Sequence, residues 1–164
     1  MVPGQPKTRF PDLTVLDEAH LTLLARRRTI TREIPPPRLV VEGVSPGNEK
    51  SENYKRNYEE KSLQYAAIGV PEYWIIDPDR AWIKVGTLIN GEYQFETFRE
   101  DAALVSLVFP DLTLTVTQIF QGGAILVKNT LAQSANVILA SVTPTPNFGL
   151  PIAPNPLTFS TMVP

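Results

Sequence analysis

The 164-residue chain contains no cysteine and only one histidine, His20. The absence of cysteine excludes disulfide bonds, zinc-thiolate centres and catalysis by a thiol nucleophile. A single histidine excludes multi-histidine metal sites, and any Ser-His-Asp triad would have to use His20. Because His20 lies in a polar segment without a second histidine, we expect its side chain to be on the surface.

The chain also lacks long hydrophobic runs. No stretch approaches the roughly 20 apolar residues of a membrane span, and the N-terminus has no basic segment followed by an apolar run, as a signal peptide would. We therefore expect a cytoplasmic protein that does not enter a membrane. Hydrophobic residues make up 43% of the composition and charged residues 20%, which is enough for one ordinary domain with a buried core.

Charge is nearly absent from the end of the chain. Residues 1–123 hold 31 of the 32 Asp, Glu, Lys and Arg residues, whereas residues 124–164 hold only Lys128, together with six of the 16 prolines. We predict a domain over residues 1–123 and a low-charge, proline-rich tail over residues 124–164. This tail should make few core contacts and lack long regular elements, although a docking segment is an alternative.

The charged segment is slightly acidic. Its 14 basic and 17 acidic residues give residues 1–123 a net charge of −3. This balance provides no broad attraction to nucleic acid, so binding a polyanion would depend on a local basic patch.

The pattern of apolar residues predicts a mixed sheet with one main helix. β-branched and apolar runs indicate strands, proline and glycine mark their ends, and Asn90-Gly91 is a strong hairpin signal. The order is strand, strand, helix, strand, hairpin, strand. The predicted ranges are strands 12–16, 39–44 and 73–77, a helix over 52–68, a hairpin of 80–89 with 92–99, and a last strand over 112–116.

Glu42 interrupts the apolar run LVVEGV of the second strand. A carboxylate in a buried strand is unfavourable unless it is paired, hydrogen-bonded or bound to a metal. Side chains alternate along a strand, so Val40, Glu42 and Val44 should share one face. A purely structural hydrogen bond is the alternative to a functional role.

The helix contains a second anomaly. Tyr54, Tyr58, Tyr65 and Ile68 fall on one stripe, and the helical repeat places Lys61 on the same inward face. The ammonium group could snorkel to the surface. Alternatively it points at Glu42, since a buried cation and a buried anion on adjacent elements are each less unfavourable together.

Asp12 begins the first strand directly after a proline. An Asp in that position often belongs to a turn or a cap. Two carboxylates on adjacent strands can instead hold a hard divalent cation through their oxygens. Such a cation acidifies water and neutralises a phosphoryl oxygen, and a nearby lysine can stabilise developing negative charge.

These features occur together in a recognisable order. The stretches RFPDLTVL, PPPRLVVEGVSPGN, NYEEKSLQYAAIGVPEYWIIDP and FPDLTLTVTQIF, between about residues 9 and 121, resemble the Uma-two family of bacterial restriction-endonuclease-like proteins. That family belongs to the PD-(D/E)XK nuclease superfamily. The resemblance implies an α/β (α+β) fold with a restriction-endonuclease-like mixed sheet flanked by helices. It also implies an Mg-dependent endodeoxyribonuclease that hydrolyses DNA phosphodiester bonds with Mg²⁺ or Mn²⁺.

The resemblance also implies roles for individual residues. Asp12 and Glu42 occupy the positions of the metal ligands, and both count as catalytic residues together with Lys61. Much of the superfamily has its lysine two residues after the glutamate, where this chain has Val44. The resemblance implies that Lys61 supplies it from the following helix. Gln64 is a weaker candidate for contacting the site.

The sequence departs from the family pattern at several places. Gly43 stands where members more often have a β-branched residue, and a glycine weakens a strand interior. Asn57 stands where members often have Asp. Members also begin further upstream, with a helix and a strand, so we expect a domain that is incomplete at the N-terminus. The alternative function is therefore an inactive remnant of the nuclease fold or an interaction module. An open sheet edge also favours a homodimer.

Overall fold

In the part of the chain that the structure describes, seven strands form one mixed β-sheet in the order β5-β4-β3-β2-β1-β6-β7. The structure is a computed structural model that describes residues 10–24, 30, 33–44, 50, 52–122, 137–141 and 158–160. In chain order its elements are β1 (Leu13–Asp17), α1 (Ala19–Leu24), β2 (Leu39–Gly43), α2 (Glu52–Lys55), a π-helical turn (Arg56–Glu60), α3 (Lys61–Ala67), β3 (Glu72–Asp77), β4 (Trp82–Ile89), β5 (Glu92–Arg99), β6 (Val137–Ser141) and β7 (Thr158–Ser160). Residues 116–122 form one more helical segment.

The architecture confirms the predicted α+β fold. β2 and β3 are parallel, and every other neighbouring pair of named strands is antiparallel. Parallel neighbours need a crossover connection, which here contains the helical segment from Glu52 to Ala67. The hairpin of β4 and β5 turns at Asn90 and Gly91, with φ of 52° and 87°, the positive values that a tight hairpin turn of this kind requires.

Alternation along the central strands divides the interior into two cores. The helix-side core packs α3 against one face of the sheet and consists of Val40, Val44, Tyr65, Val70, Tyr73 and Ile75. The opposite core, which we call the Trp74-side core, includes Val41, Trp74, Ile83 and Val85. Neighbours in sequence, such as Tyr73 and Trp74, therefore face opposite ways. Both faces of β2 are covered, which explains its almost continuous apolar run.

The expectation that His20 lies on the surface is wrong. Its side chain is 2% exposed. Nδ1 accepts a hydrogen bond from the backbone N–H of Asp17 at 3.1 Å, and Nε2 lies 2.9 Å from the carbonyl oxygen of Pro35. A ring protonated at Nε2 satisfies both contacts. His20 therefore connects α1 to the segment that precedes β2.

The predicted last strand over residues 112–116 is also wrong. Thr115 forms only an isolated bridge with Ala103, and residues 116–122 are helical. The backbone N–H of Thr115 donates to the Gln118 side chain, and Thr115 Oγ1 accepts from the Gln118 N–H. This reciprocal pattern is a capping box that begins a helix.

Part of the predicted tail belongs to the sheet. β6 pairs antiparallel with β1 along all five of its residues, and β7 pairs with β6. The expectation of few contacts after residue 123 is therefore wrong for residues 137–141 and 158–160, because β6 covers the edge of β1. The other residues of the tail from 123 onward lie outside the described residues, and the division at residue 123 stays a prediction.

Glu72 binds the loop that follows β5 to the face of the sheet that carries the Trp74-side core. The side chain is 1% exposed. Oε1 accepts hydrogen bonds from Trp74 Nε1 and Ser106 Oγ, both at 2.7 Å. Oε2 accepts from the backbone N–H groups of Leu107 at 2.8 Å and Val108 at 3.2 Å. Four donors converge on one buried carboxylate, so its acceptor capacity is used within the fold.

We therefore expect Glu72→Gln to lower the free energy of unfolding by about 2 kcal/mol, since one acceptor oxygen becomes an amide donor that faces other donors. Urea unfolding measures this change. Glu92→Gln, at the exposed start of β5, removes the same charge and should change stability by less than about 0.5 kcal/mol. Equal unfolding midpoints for Glu72→Gln and the wild type would show that this carboxylate does not anchor the loop.

Candidate active site

Glu42 lies near the carboxyl end of β2 and points into the helix-side core. Its side chain is 2% exposed, and its backbone pairs with Ile75 of β3. Val40 and Val44 share its face and belong to the helix-side core, as the alternation in the sequence predicts. A carboxylate in this position has lost most of its hydration and needs partners from the helix above it.

Lys61 and Tyr65 of α3 supply those partners. Lys61 Nζ lies 2.8 Å from Glu42 Oε2, and the Lys61 side chain is 12% exposed. The Tyr65 hydroxyl donates to Glu42 Oε1 at 2.6 Å. Residues four apart on a helix lie on the same face, so both groups reach the carboxylate together. The contact between Lys61 and Glu42 agrees with the interpretation of the helical stripe.

A π-helical turn, Arg56–Glu60, directly precedes α3, whose first residue is Lys61. The backbone N–H of Lys61 donates to the carbonyl of Arg56, five residues earlier. Such turns are rare and occur often at functional sites. Ile68, the last residue of the predicted stripe, is instead 39% exposed, because α3 ends at Ala67 and Ile68 lies in the turn that follows.

Asp12 reaches the same end of β2 from the residue before β1. Its Oδ2 accepts a hydrogen bond from the backbone N–H of Gly43 at 2.7 Å, and its charge acts on Glu42. A Cβ at Gly43 would lie 3.5 Å from this oxygen, an ordinary contact distance. Gly43 is also the last residue of β2, so it does not interrupt the strand. The structure thus brings Asp12, Glu42 and Lys61 together.

Burial is the main influence on the protonation of Glu42. Loss of hydration raises the pKa of this carboxyl above its usual 4.5, although the charge of Lys61 and the hydrogen bonds from Lys61 and Tyr65 oppose the rise. The negative charge of Asp12 raises the Glu42 pKa further. A cation placed near both carboxylates would offset this unfavourable effect of Asp12 on the Glu42 charge.

The oxygen donors at this site fit a hard divalent cation. Asp12 Oδ2 is used by Gly43, while Oδ1 has no partner among the described residues, and each oxygen of Glu42 can still accept from another direction. The described residues contain no group of three or more potential metal-ligating side chains. Two carboxylates nevertheless suffice for Mg²⁺, which takes its remaining ligands from water and substrate phosphates.

A second polar network lies beside the first, at the end of β3. Asp77 is 1% exposed. Its Oδ2 accepts from the Tyr58 hydroxyl at 2.6 Å and pairs with Arg80 Nη1 at 2.7 Å. Burial, followed by the hydrogen bond to Asp77, raises the pKa of the Tyr58 hydroxyl. Trp82 Nε1 donates to the same hydroxyl at 2.8 Å.

Sequence reasoning missed the roles of several of these groups. The helical repeat places Tyr65 and Tyr58 on the inward stripe, but this periodicity does not show that their hydroxyls bind carboxylates. The signal that could have found Tyr65 is its position one turn after Lys61, since both point at one strand. Asn57 is buried, and its carbonyl accepts from the Tyr73 hydroxyl at 3.0 Å. The role of Gln64, half-buried on α3, stays a prediction.

The raised pKa of Glu42 predicts how stability depends on pH. Between 4.5 and the raised folded-state pKa, the folded protein binds more protons than the unfolded chain, so the free energy of unfolding falls as pH rises. Glu42→Gln removes this contribution. We therefore expect the stability of the variant, relative to the wild type, to improve as pH rises from about 4 to 7 in metal-free urea unfolding.

Glu96→Gln is the matched control, because it removes an exposed carboxylate from β5. A stability difference between Glu42→Gln and the wild type that stays constant across this pH range, or that follows the control, would contradict the electrostatic account of Glu42.

No helix among the described residues is long and apolar enough to cross a membrane.

No curated protein matches the chain. Among solved structures, a crystal structure described as a "putative nuclease belonging to DUF820" from Anabaena variabilis ATCC 29413 shares 24% identity with a TM-score of 0.42. The match covers 54% of this chain and 46% of the other, so this chain spans about half the length of that protein. The model of the Uma2 family, described as "Putative restriction endonuclease", matches residues 2–117. Because this match covers more than half of the 164 residues, the chain belongs to the Uma2 family.

Proposed function

We propose that this chain is a metal-dependent endonuclease that hydrolyses phosphodiester bonds in DNA. The observation that carries the proposal is the buried Glu42, held by Lys61 and Tyr65 beside Asp12 at one end of the sheet. A buried ion pair is weak evidence for stability alone, because removing two charges from water is costly. The family description, a restriction endonuclease, supports DNA as the substrate.

Asp12 and Glu42 would hold the cation, Mg²⁺ or Mn²⁺. When bound, the cation supplies neutralisation of a phosphoryl oxygen and a lower pKa for water. The protein's part is to keep the two carboxylates in place before the cation arrives. The Tyr65 hydroxyl fixes Oε1 of Glu42, and the Gly43 N–H fixes Oδ2 of Asp12. Such outer contacts orient metal ligands and restrict their rotation.

Lys61 would act on the phosphate itself. Its ammonium lies 2.8 Å from Glu42 Oε2 and remains partly exposed, so it is anchored yet can contact a substrate. In hydrolysis a water molecule loses a proton as its oxygen bonds to phosphorus, the bond from phosphorus to one ester oxygen breaks, and that ester oxygen takes up a proton. Negative charge grows on the phosphoryl oxygens as this happens. A cation already positioned there stabilises the charge without reorganisation.

Glu42→Gln should abolish metal-dependent cleavage. The substitution keeps the shape of the side chain but removes its negative charge, which weakens the attraction for a divalent cation. We expect wild-type chain to nick plasmid DNA in Mg²⁺ or Mn²⁺ and not in chelator, and Glu42→Gln to fall to the background level. Glu59→Gln, an exposed residue of the π-helical turn, should retain wild-type cleavage. Undiminished cleavage by Glu42→Gln would place the active site elsewhere.

Metal binding should be visible without catalysis. A cation that binds only the folded protein stabilises it by mass action, by about 2.7 kcal/mol at 100 times its dissociation constant, which corresponds to several degrees in melting temperature. We expect Mn²⁺ to raise the wild-type melting temperature and to leave that of Asp12→Asn unchanged. An equal rise in both proteins would exclude Asp12 as a ligand.

Lys61→Met should separate binding from chemistry. The methionine fills the space of the lysine stem, while the charge that acts on the phosphate is lost. We expect at least a 100-fold loss of cleavage rate, in the range found for single electrostatic groups, while the Mn²⁺-induced rise in melting temperature persists. Lys55→Met, exposed on α2, is the control. Cleavage at the wild-type rate by Lys61→Met would exclude Lys61 from the reaction.

Assembly as a homodimer and action in the cytoplasm stay predictions, which sedimentation of the purified chain and localisation of a tagged one would test.

A further inference from the structure

Three cations gather around one tryptophan next to the candidate active site. The guanidinium carbon of Arg99 lies 4.4 Å from the Trp82 ring centroid, Lys84 Nζ lies 5.4 Å from it, and the guanidinium carbon of Arg80 lies 6.0 Å from it. Lys84 Nζ is also 5.7 Å from the Tyr58 ring centroid. We call these five residues the Trp82 cluster. Cations within about 6 Å of an aromatic ring are attracted by its electron-rich face.

The Trp82 cluster shares a sheet face with Glu42. Ile83 and Val85 of β4 belong to the Trp74-side core, so Trp82 and Lys84, which alternate with them, lie on the helix side. Tyr58 connects the two places, because it precedes Lys61 on the same helical segment.

The cluster also lies at the same end of the sheet as the candidate site. β2 ends at Gly43, which pairs with Ile76, and the next residue of β3, Asp77, pairs with Trp82. Trp82 in turn pairs with Arg99. From β2 to β5 is three strand spacings, or about 14 Å. A strand of nucleic acid with one phosphate at Glu42 can therefore reach the cluster.

The charge of the Trp82 cluster is only partly balanced. Asp77 pairs with Arg80. Neither Lys84 nor Arg99 contacts a carboxylate among the described residues. Among the described residues, the Arg99 guanidinium gives one hydrogen bond, from Nη1 to the carbonyl of Arg80 at 3.1 Å, so most of its five N–H groups can bind another acceptor. The cluster is thus a local positive patch on a chain whose overall charge is negative.

We infer that Lys84 and Arg99, oriented by Trp82, bind the phosphodiester backbone of DNA beside the phosphate that is cleaved. This inference rests on the proposed function and assigns it a substrate-binding surface. Phosphate contacts dominate the affinity of proteins for DNA and carry no sequence information. A chain without net positive charge needs such contacts in one place. The ring of Trp82 limits the freedom of both cations, so less entropy is lost when a phosphate binds.

The test is DNA binding in chelator, where no cleavage occurs. Fluorescence anisotropy with a labelled duplex and a labelled single strand gives the affinity at several salt concentrations. For Lys84→Gln/Arg99→Gln we expect at least a tenfold loss of affinity for both. The slope of log affinity against log salt should fall by about 1.8 for the duplex, the value for two lost phosphate contacts.

Two controls separate binding from a purely structural role. Arg38→Gln removes one positive charge at the opposite end of β2, and its affinity should stay within twofold of the wild type. Lys84→Arg/Arg99→Lys keeps both charges and should keep the wild-type salt slope, even where the altered packing lowers stability. Urea unfolding confirms that each variant is folded under the binding conditions.

An unchanged affinity and salt slope in the folded Lys84→Gln/Arg99→Gln variant would overturn the inference, as would an equal loss in Arg38→Gln. A failure of the proposed function would give a different result from a failure of this inference. If the wild-type chain binds DNA through these residues but does not cleave it in Mg²⁺ or Mn²⁺, the binding surface stands and the nuclease assignment fails.

Discussion

The ion pair between Glu42 and Lys61 is the interaction on which the arrangement of this domain depends. β2 lies in the middle of the sheet and is covered on both faces, so its one carboxylate would be strongly unfavourable without partners. α3 supplies a cation and a hydroxyl to the two carboxylate oxygens. The helix is thereby fixed in both position and rotation above β2, because a different rotation would leave the charge unpaired. The same contacts leave the carboxylate partly compensated, with the pKa still raised, and therefore receptive to a cation.

The crossover helix also contacts the strand next to β2, which is β3. β2 and β3 are the parallel pair of the sheet, and their carboxyl ends lie side by side. The segment from Glu52 to Ala67 contacts Glu42 through Lys61 and Tyr65, and Asp77 through Tyr58. The π-helical turn contains Tyr58 and ends directly before Lys61, so the change from contacts with β3 to contacts with β2 occurs at the C-terminal end of the turn. In open sheets ligands bind beyond the carboxyl ends of parallel strands, and here both polar networks and the Trp82 cluster lie at that end of the sheet.

The sequence predicts the candidate site better than it predicts the rest of the fold, because the site residues interrupt local apolar patterns. Alternation in β2 and the helical repeat each identify a charged residue on an apolar face, so Glu42 and Lys61 could be paired without knowledge of tertiary structure. His20 could not be placed in this way, because its burial depends on a carbonyl 15 residues away, at Pro35. The pairing of β6 with β1 joins segments more than 100 residues apart, and low charge with many prolines carries no information about such a partner. The β-branched residues around Thr115 are typical of a strand, whereas its reciprocal hydrogen bonds with Gln118 begin a helix.

The two buried glutamates of the sheet show how burial alone can mislead. Glu72 and Glu42 are almost equally inaccessible, at 1% and 2%, and lie on adjacent strands. Glu72 accepts hydrogen bonds from the Trp74 indole of its own strand and from one hydroxyl and two backbone N–H groups of the loop after β5. Both of its oxygens are therefore occupied by partners within the fold. Glu42 instead meets a flexible cation, a single hydroxyl and the field of a second carboxylate. A site that must exchange partners during a reaction needs contacts of the second kind, since a lysine can move to a phosphate while a backbone amide cannot. The contrast between their partners, more than the burial of either residue, is what distinguishes the candidate catalytic carboxylate from the structural one.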